Sequence, residues 1–289
     1  MNIIGCGRAA RTLAAVWQRA GTLETTAILN RSASSAGEAA EFVGAGEPVG
    51  DLSQMPSAGL WMLGVGDDRI LSVADALAAS GRLRPGDIVF HLSGAHASDE
   101  LAACRSVGAW CASLHPAHSF ADPRRSLDTI AGCRCVVEGD SAAIDVLAPL
   151  VAALGAAMLE IDPAQKIVYH AGTVFASNFV VVLLGDALAA VSAAGIPDSE
   201  AAELLRPLLL GSVTNTLEYG VEDALTGPIA RGDAALVAAQ LAALEQALPD
   251  VATRYRALGL AASAIARRSG STDAQALARI DALLGRTGN

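Results

Sequence analysis

Short apolar runs alternate with amphipathic stretches through the first half of the chain. Asn2–Ile4, Thr25–Leu29, Leu60–Val65, Ile88–Leu92, Ala109–Leu114, Arg134–Val137 and Ala157–Ile161 read as strands. Helical spacing fills most of the gaps, at Arg8–Arg19, Asp67–Ala79, Ala97–Val107 and Ser141–Leu154. Strands alternating with helices predict an α/β fold with a mostly parallel, doubly wound sheet.

Beyond Ile161 no convincing strand follows. Asp162-Pro163 combines an N-cap with a proline suited to the first helical position. The helix it opens is predicted to run to about Ala194, where Gly195 and Pro197 stop it. Further helices are expected at Ser199–Tyr219, Asp233–Ala247, Pro249–Arg267 and Thr272–Leu284. The change of pattern divides the chain into a Rossmann domain, residues 1–161, and an all-helical C-terminal domain, residues 162–289. The apolar run Val174–Leu184 is interrupted by Ser177 and Asn178 and is shorter than the ~20 residues a bilayer requires, so it reads as a buried helix.

Composition narrows the function. With 52% hydrophobic and 17% charged residues over 289 positions, the chain can build two cores and is not a disordered one. A formal charge of −10 argues against nucleic acid, which needs a basic face, but allows a small anionic cofactor held at a helix N-terminus. No charged segment followed by an apolar one opens the sequence, so a cytoplasmic protein without a membrane partner is expected. Five cysteines form no disulfide framework, and Cys133-x-Cys135 lacks zinc-knuckle spacing, so no metal is expected.

The candidate chemistry starts at Gly5-Cys6-Gly7-Arg8-Ala9-Ala10, a Gly-x-Gly-x-x-Ala loop between the first strand and a helix. Its first glycine permits the tight turn, its second lets the backbone approach a pyrophosphate, and the small last residue allows close helix–strand packing. Only four residues precede Gly5, which makes the first strand unusually short. The second strand ends Leu29-Asn30-Arg31-Ser32 with no carboxylate for ribose hydroxyls. A guanidinium and a hydroxyl there suit a 2′-phosphate, favouring NADP over NAD.

Three more strand ends carry polar residues where an open α/β sheet binds its ligands. Gly64 and Val65 follow one strand and Ser93-Gly94 the next, the latter placed to face a nicotinamide. Ser113–Phe120 holds His115 and His118, candidates for a proton donor, an anion contact or a structural hydrogen-bonder. On the long helix, Lys166, His170, Thr173 and Ser177 fall on one stripe, with Asn178 beside it. Buried polar groups need partners, and a pocket between domains, backbone carbonyls or a subunit contact would supply them. In Leu225–Asp233, Arg231 can reach a carboxylate or phosphate or pair with an acidic neighbour, while Asp233 caps the next helix.

These segments carry a resemblance. The glycine loop, Leu63–Asp68, His91–Ala95, Ser113–Pro116, Glu138–Asp140, Tyr169–Ala171, Phe175–Phe179 and Leu225–Asp233 together resemble oxidoreductases that join a Rossmann-like domain to a helical domain of the DUF2520 type. These belong to the broad superfamily of 6-phosphogluconate dehydrogenase-like proteins. The resemblance implies a nicotinamide cofactor and a helical domain that mediates homodimerisation, and it implies no particular substrate. Hydroxyacid dehydrogenases of that superfamily place a catalytic lysine and asparagine one turn apart on the first interdomain helix, where this chain has Lys166 and His170.

The expected activity is NADP(H)-dependent hydride transfer to or from a small polar, carboxylate-bearing substrate at an interdomain cleft. His170, with His115 competing, would move the proton, and Ser177 and Asn178 would orient the reacting group. Gly5, Cys6, Gly7, Arg8, Ala9, Asn30, Arg31, Ser32, Gly64, Val65, Ser93 and Gly94 would hold the cofactor. The alternative is a non-catalytic NADP(H)-binding dimer with a sensing or regulatory role. A metal site built on His115 and His118, with His170 or Asp122, has no other ligand to support it.

Overall fold

The computed structural model describes residues 1–285. The chain divides into two compact units, Met1–Ser177 and Asn178 onward.

In the first unit, eight strands form one sheet: β1 (Asn2–Ile4), β2 (Ala27–Leu29), β3 (Glu47–Val49), β4 (Leu60–Leu63), β5 (Ile88–His91), β6 (Trp110–Pro116), β7 (Arg134–Gly139) and β8 (Ala157–Glu160). Their order is β3-β2-β1-β4-β5-β6-β7-β8, parallel throughout except where β6 meets β7. The helices of this unit are α1 (Arg8–Arg19), α2 (Ala33–Val43), α3 (Ile70–Ala79), α4 (Ala102–Ser106), α5 (Pro123–Thr129), α6 (Ser141–Ala153) and α7 (Lys166–Ala176).

Alternate residues of each strand point to opposite faces, and here each face has its own apolar core. Ile3, Met62, Phe90 and Leu114 pack with Leu13, Trp17 and Leu147 of α1 and α6. Ile4, Trp61, Leu63 and Val89 pack on the other face with Ile70, Ala74 and Leu77 of α3. This is the doubly wound arrangement the alternating pattern predicts. The short β1 is in full register, with Ile3 opposite Ile28 on one side and Met62 on the other.

The second unit holds α8 (Asn178–Ala193), α9 (Asp198–Tyr219), α10 (Val221–Ala224), α11 (Ala234–Ala247), α12 (Pro249–Ser269) and α13 (Ala274–Leu284). Val237, Leu241, Ala252, Ile280 and Leu284 form its core. Arg256 Nη1 donates to the Leu283 carbonyl at 2.9 Å and so helps satisfy the free C-terminal end of α13. A bidentate Arg254–Asp186 pair, both bonds 2.6 Å, ties α12 to α8.

Three expectations need correction. The predicted helix to Ala194 is two helices, broken at Ser177, whose backbone (φ −125°, ψ −71°) leaves the helical region. The run Val174–Leu184 is not buried: Phe175, Val181 and Val182 are 67%, 72% and 44% exposed. The run lies within the helical stretch Pro163–Ala193, which is long and apolar enough, by length and composition, to cross a membrane. Apolar composition alone does not say whether a helix is buried. The compact division also falls after Ser177 rather than at Asp162, so α7 belongs with the sheet.

Candidate active site

Gly5 has φ +79°, a conformation L-residues with a side chain rarely adopt. A Cβ there would also lie 2.9 Å from the Val65 amide nitrogen. A Cβ on Gly64 would lie 2.5 Å from the Ala10 methyl and would strike the Gly5 carbonyl. The ends of β1 and β4 therefore touch through glycines, and Ala10 seals the start of α1 against them. Gly7 is the N-cap of α1 with no side-chain cap, and no carboxylate stands in the first turn. Its leading amides and positive dipole end remain available to an anion. The cradle fits a pyrophosphate.

The other residues of the predicted cofactor set have distinct roles. Asn30 braces the loop, its Oδ1 accepting from the Cys6 amide (2.6 Å) and its Nδ2 donating to the Ser35 carbonyl (2.8 Å). Burial pushes the Cys6 thiol up to about 12, so it stays a neutral small hydrophobe. Arg8 reaches the Ala121 carbonyl at 3.2 Å, and Ala9 is half-buried behind it. Ser32 caps α2 by accepting from the Ser35 amide at 3.2 Å. Arg31 beside it is exposed.

At the ends of β5, β6 and β7 a buried polar cluster assembles around Lys166, the only lysine among the chain's 20 basic residues. Its side chain is 1% exposed, and Nζ meets three acceptors: the Ser93 carbonyl at 3.0 Å, Ser113 Oγ, and Glu138 Oε1 at 3.6 Å. Glu138 is held in turn by the Ser98 amide and hydroxyl, both at 2.8 Å. Burial lowers the Lys166 ammonium from its usual value, with the Glu138 carboxylate opposing that shift. Ser93 is thereby consumed by structure, since its Oγ also accepts the Ala95 and His96 amides at 3.1 and 3.0 Å.

Next to this lattice stands an imidazole pair. His115 Nδ1 lies 2.7 Å from the Tyr169 hydroxyl, and the His115 and His170 rings meet edge to face with centroids 6.0 Å apart. A hydroxyl both donates and accepts, so the Tyr169–His115 bond can run in either sense. Gly94 is pressed against both rings: a Cβ there would lie 2.6 Å from His170 Cδ2 and 2.9 Å from His115 Nε2. Burial, then His170 and Lys166, push His115 down to about 4, so it is neutral near pH 7.

His91 is fully buried with both ring nitrogens engaged. Nδ1 accepts the Ser93 amide at 3.2 Å, so Nε2 carries the hydrogen it gives to the Ala97 carbonyl at 3.1 Å. Burial pushes His91, like His115, down to about 4. Between that value and about 6.5, the unfolded one, the unfolded chain holds more protons than the folded chain. Stability is therefore full above pH 6.5 and is expected to fall on acidification, by about 1.4 kcal/mol per pH unit for each histidine. Urea unfolding at a series of pH values would show this slope, and His91→Gln should flatten it. An unchanged slope in that variant would count against His91 as a source.

The stripe on α7 is only partly a site. Thr173 Oγ1 donates to the His170 carbonyl and Ser177 Oγ to the Thr173 carbonyl, each at 2.8 Å, so these hydroxyls bond their own helix. Ser177 ends α7 and Asn178 opens α8 in the second unit. His118 packs edge to face on Phe120, apart from the imidazole pair. Among the described residues no group of three or more His, Cys, Asp or Glu side chains could hold a metal. Ser113, Glu138 and Tyr169 join the cluster without having been singled out as site residues. Tyr169-His170 and Glu138-Gly139-Asp140 were visible as motifs, but nothing local links residues so far apart in sequence.

Residues 1–116 match a Rossmann-like domain, and residues 133–262 match a domain of unknown function, DUF2520. The chain joins these two domains, and its polar cluster draws on both: Ser93, Gly94, Ser113 and His115 lie in the first match, Glu138, Lys166, Tyr169 and His170 in the second. Protein TM1727 from Thermotoga maritima is similar over 93% of this chain and 99% of its own, at 24% identity and a TM-score of 0.71. A Bacteroides fragilis protein described as a candidate NADP oxidoreductase covers 90% of this chain and 96% of its own, at 20% identity and a TM-score of 0.75. An imine reductase from Myxococcus stipitatus, solved with NADP+, covers 96% and 98% at 19% identity and a TM-score of 0.63. These likenesses establish the fold. No curated protein matches the sequence.

Proposed function

We propose that the chain is an NADP(H)-dependent oxidoreductase that moves a hydride to or from a small polar, carboxylate-bearing substrate. One observation carries this reading. The glycine cradle at the ends of β1 and β4 and the imidazole pair at the ends of β5 and β6 occupy the carboxyl edge of neighbouring parallel strands, where such sheets bind ligands. A bound nicotinamide would supply the hydride chemistry. Gly5, Gly7 and Gly64 would admit the pyrophosphate, and Arg31, exposed beside the α2 cap, would take a 2′-phosphate. His170 would give or take the proton, with His115 kept neutral beside it and Tyr169 fixing its ring. The candidate NADP oxidoreductase and the imine reductase solved with NADP+, both of similar fold, support the same reading.

The partner we propose for the apolar helices is a second copy of this chain rather than a membrane. Asp186, paired with Arg254, places an ion pair on the apolar α8, and Leu208 and Leu217 extend the exposed apolar surface onto α9 at 65% and 82%. Sedimentation without detergent should give a dimer. A monomer, or protein soluble only in detergent, would exclude that partner.

Fluorescence titration with NADPH and NADH tests the cofactor. Tight NADPH binding is expected, with NADH weaker. Arg31→Ala should remove about 1.5–3 kcal/mol of the NADPH preference, the worth of a hydrogen bond to a charged group. No binding of either nucleotide would end the oxidoreductase reading.

A further inference from the structure

In a chain that uses arginine for every other basic side chain, the one lysine is buried at the candidate site. An ammonium is a compact tetrahedral donor with three N–H bonds, whereas a guanidinium is a planar fork. Three acceptors converge on Nζ from three elements: the Ser93 carbonyl after β5, Ser113 on β6 and Glu138 on β7. Nζ donates hydrogen bonds to the first two, and the Glu138 carboxylate faces it as an ion-pair partner at 3.6 Å, so the groups around Nζ are the protein's own. Lys166 also stands one turn before His170 and binds the carbonyl that precedes Gly94, the residue against which both imidazoles rest.

We infer that Lys166 is a positioning residue, which holds the Ser93–Gly94 backbone beneath the His115–His170 pair and passes no proton to the substrate. The proton-handling part rests on the oxidoreductase reading above, and the positioning part does not. This differs from the assignment that a lysine on this helix invites by resemblance to hydroxyacid dehydrogenases. The groups facing His115 are Tyr169, His170 and Lys166 from α7 and Asp67 after β4. Lys166 is the ammonium among them, and it acts on the imidazole through space as well as through the backbone.

A single lysine makes the test direct. Protein grown on isotope-labelled lysine gives one side-chain Nζ signal. It is expected to remain an ammonium with slowly exchanging protons between about pH 5 and 8, the range of histidine acid–base chemistry. The second arm is the double variant Lys166→Met with Glu138→Gln, which removes both charges of the buried pair and avoids stranding either. It is expected to fold, to shift the Gly94 amide signal, and to raise the midpoint at which His115 titrates.

An Nζ that loses its proton within that pH range would overturn the inference in favour of an acid–base lysine. A double variant with an unmoved Gly94 amide and an unmoved His115 midpoint would overturn it in favour of a mere core filler. Each of these signals is read without cofactor. A wild-type protein that failed to bind NADPH would therefore sink the proposed function and leave this result standing.

Discussion

Lys166→Met alone is expected to cost the protein about 3–5 kcal/mol of stability, the usual penalty for removing one partner of a buried ion pair. Methionine can fill much of the space, so volume is not the main cause. What remains is the Glu138 carboxylate, 2% exposed, with the two Ser98 hydrogen bonds but no cation. The Ser93 carbonyl and Ser113 hydroxyl lose a donor as well. Urea unfolding near pH 7 reads the loss as a lower midpoint with an unchanged slope. Adding Glu138→Gln should recover a large part of it, because neutralising both members removes the stranded charge. A single variant within about 0.5 kcal/mol of wild type, the range usual for surface substitutions, would mean that Glu138 reaches water or takes up a proton at little cost.

Gly64→Ala is expected to weaken NADPH binding by roughly tenfold to a hundredfold while leaving the chain folded. One methyl at this position must displace either the Gly5 carbonyl or the Ala10 methyl. Overpacking of this kind costs about 1–3 kcal/mol, and each 1.4 kcal/mol that falls on binding is about tenfold in affinity. The strain lands on the two segments that form the cradle, so the cofactor should report it most directly. Titration of this variant against wild type measures it. Equal affinities would mean that the cradle does not touch the nucleotide.

Much of this architecture was legible because strand and helix periods differ. Runs such as Leu60–Leu63 and Ile88–His91 are apolar on both faces, the mark of a strand covered by helices on each side. β3 was not legible: three residues, Glu47-Pro48-Val49, with a central proline, carry no periodic signal. The small-residue helix α2 also gives little contrast between faces. The break at Ser177 has no local signal, since serine is an ordinary helix residue and no Gly or Pro marks the spot.

The site was legible in part for a different reason. A glycine loop is a contiguous segment whose chemistry depends on its own backbone. Lys166 meets Ser93, Ser113 and Glu138 only because β5, β6 and β7 lie side by side in the sheet. Linear spacing suggested a polar stripe from Lys166 to Ser177, but the lower hydroxyls bond their own helix. Exposure was the hardest property to read. Leu217 and Val181 are as apolar as any core residue, yet they are 82% and 72% exposed.

Gly94 carries a consequence for how this site can diverge. Its missing side chain is the gap that two imidazoles already fill, His170 at 2.6 Å and His115 at 2.9 Å from where a Cβ would stand. Positions 94, 115 and 170 are therefore epistatically locked. A methyl gained at 94 is tolerable only in a lineage that has already shrunk both rings, and each single step toward that state passes through a crowded or hollow intermediate. Glycine at 94 should accordingly covary with the histidine pair among homologues, while flanking Ala95 drifts.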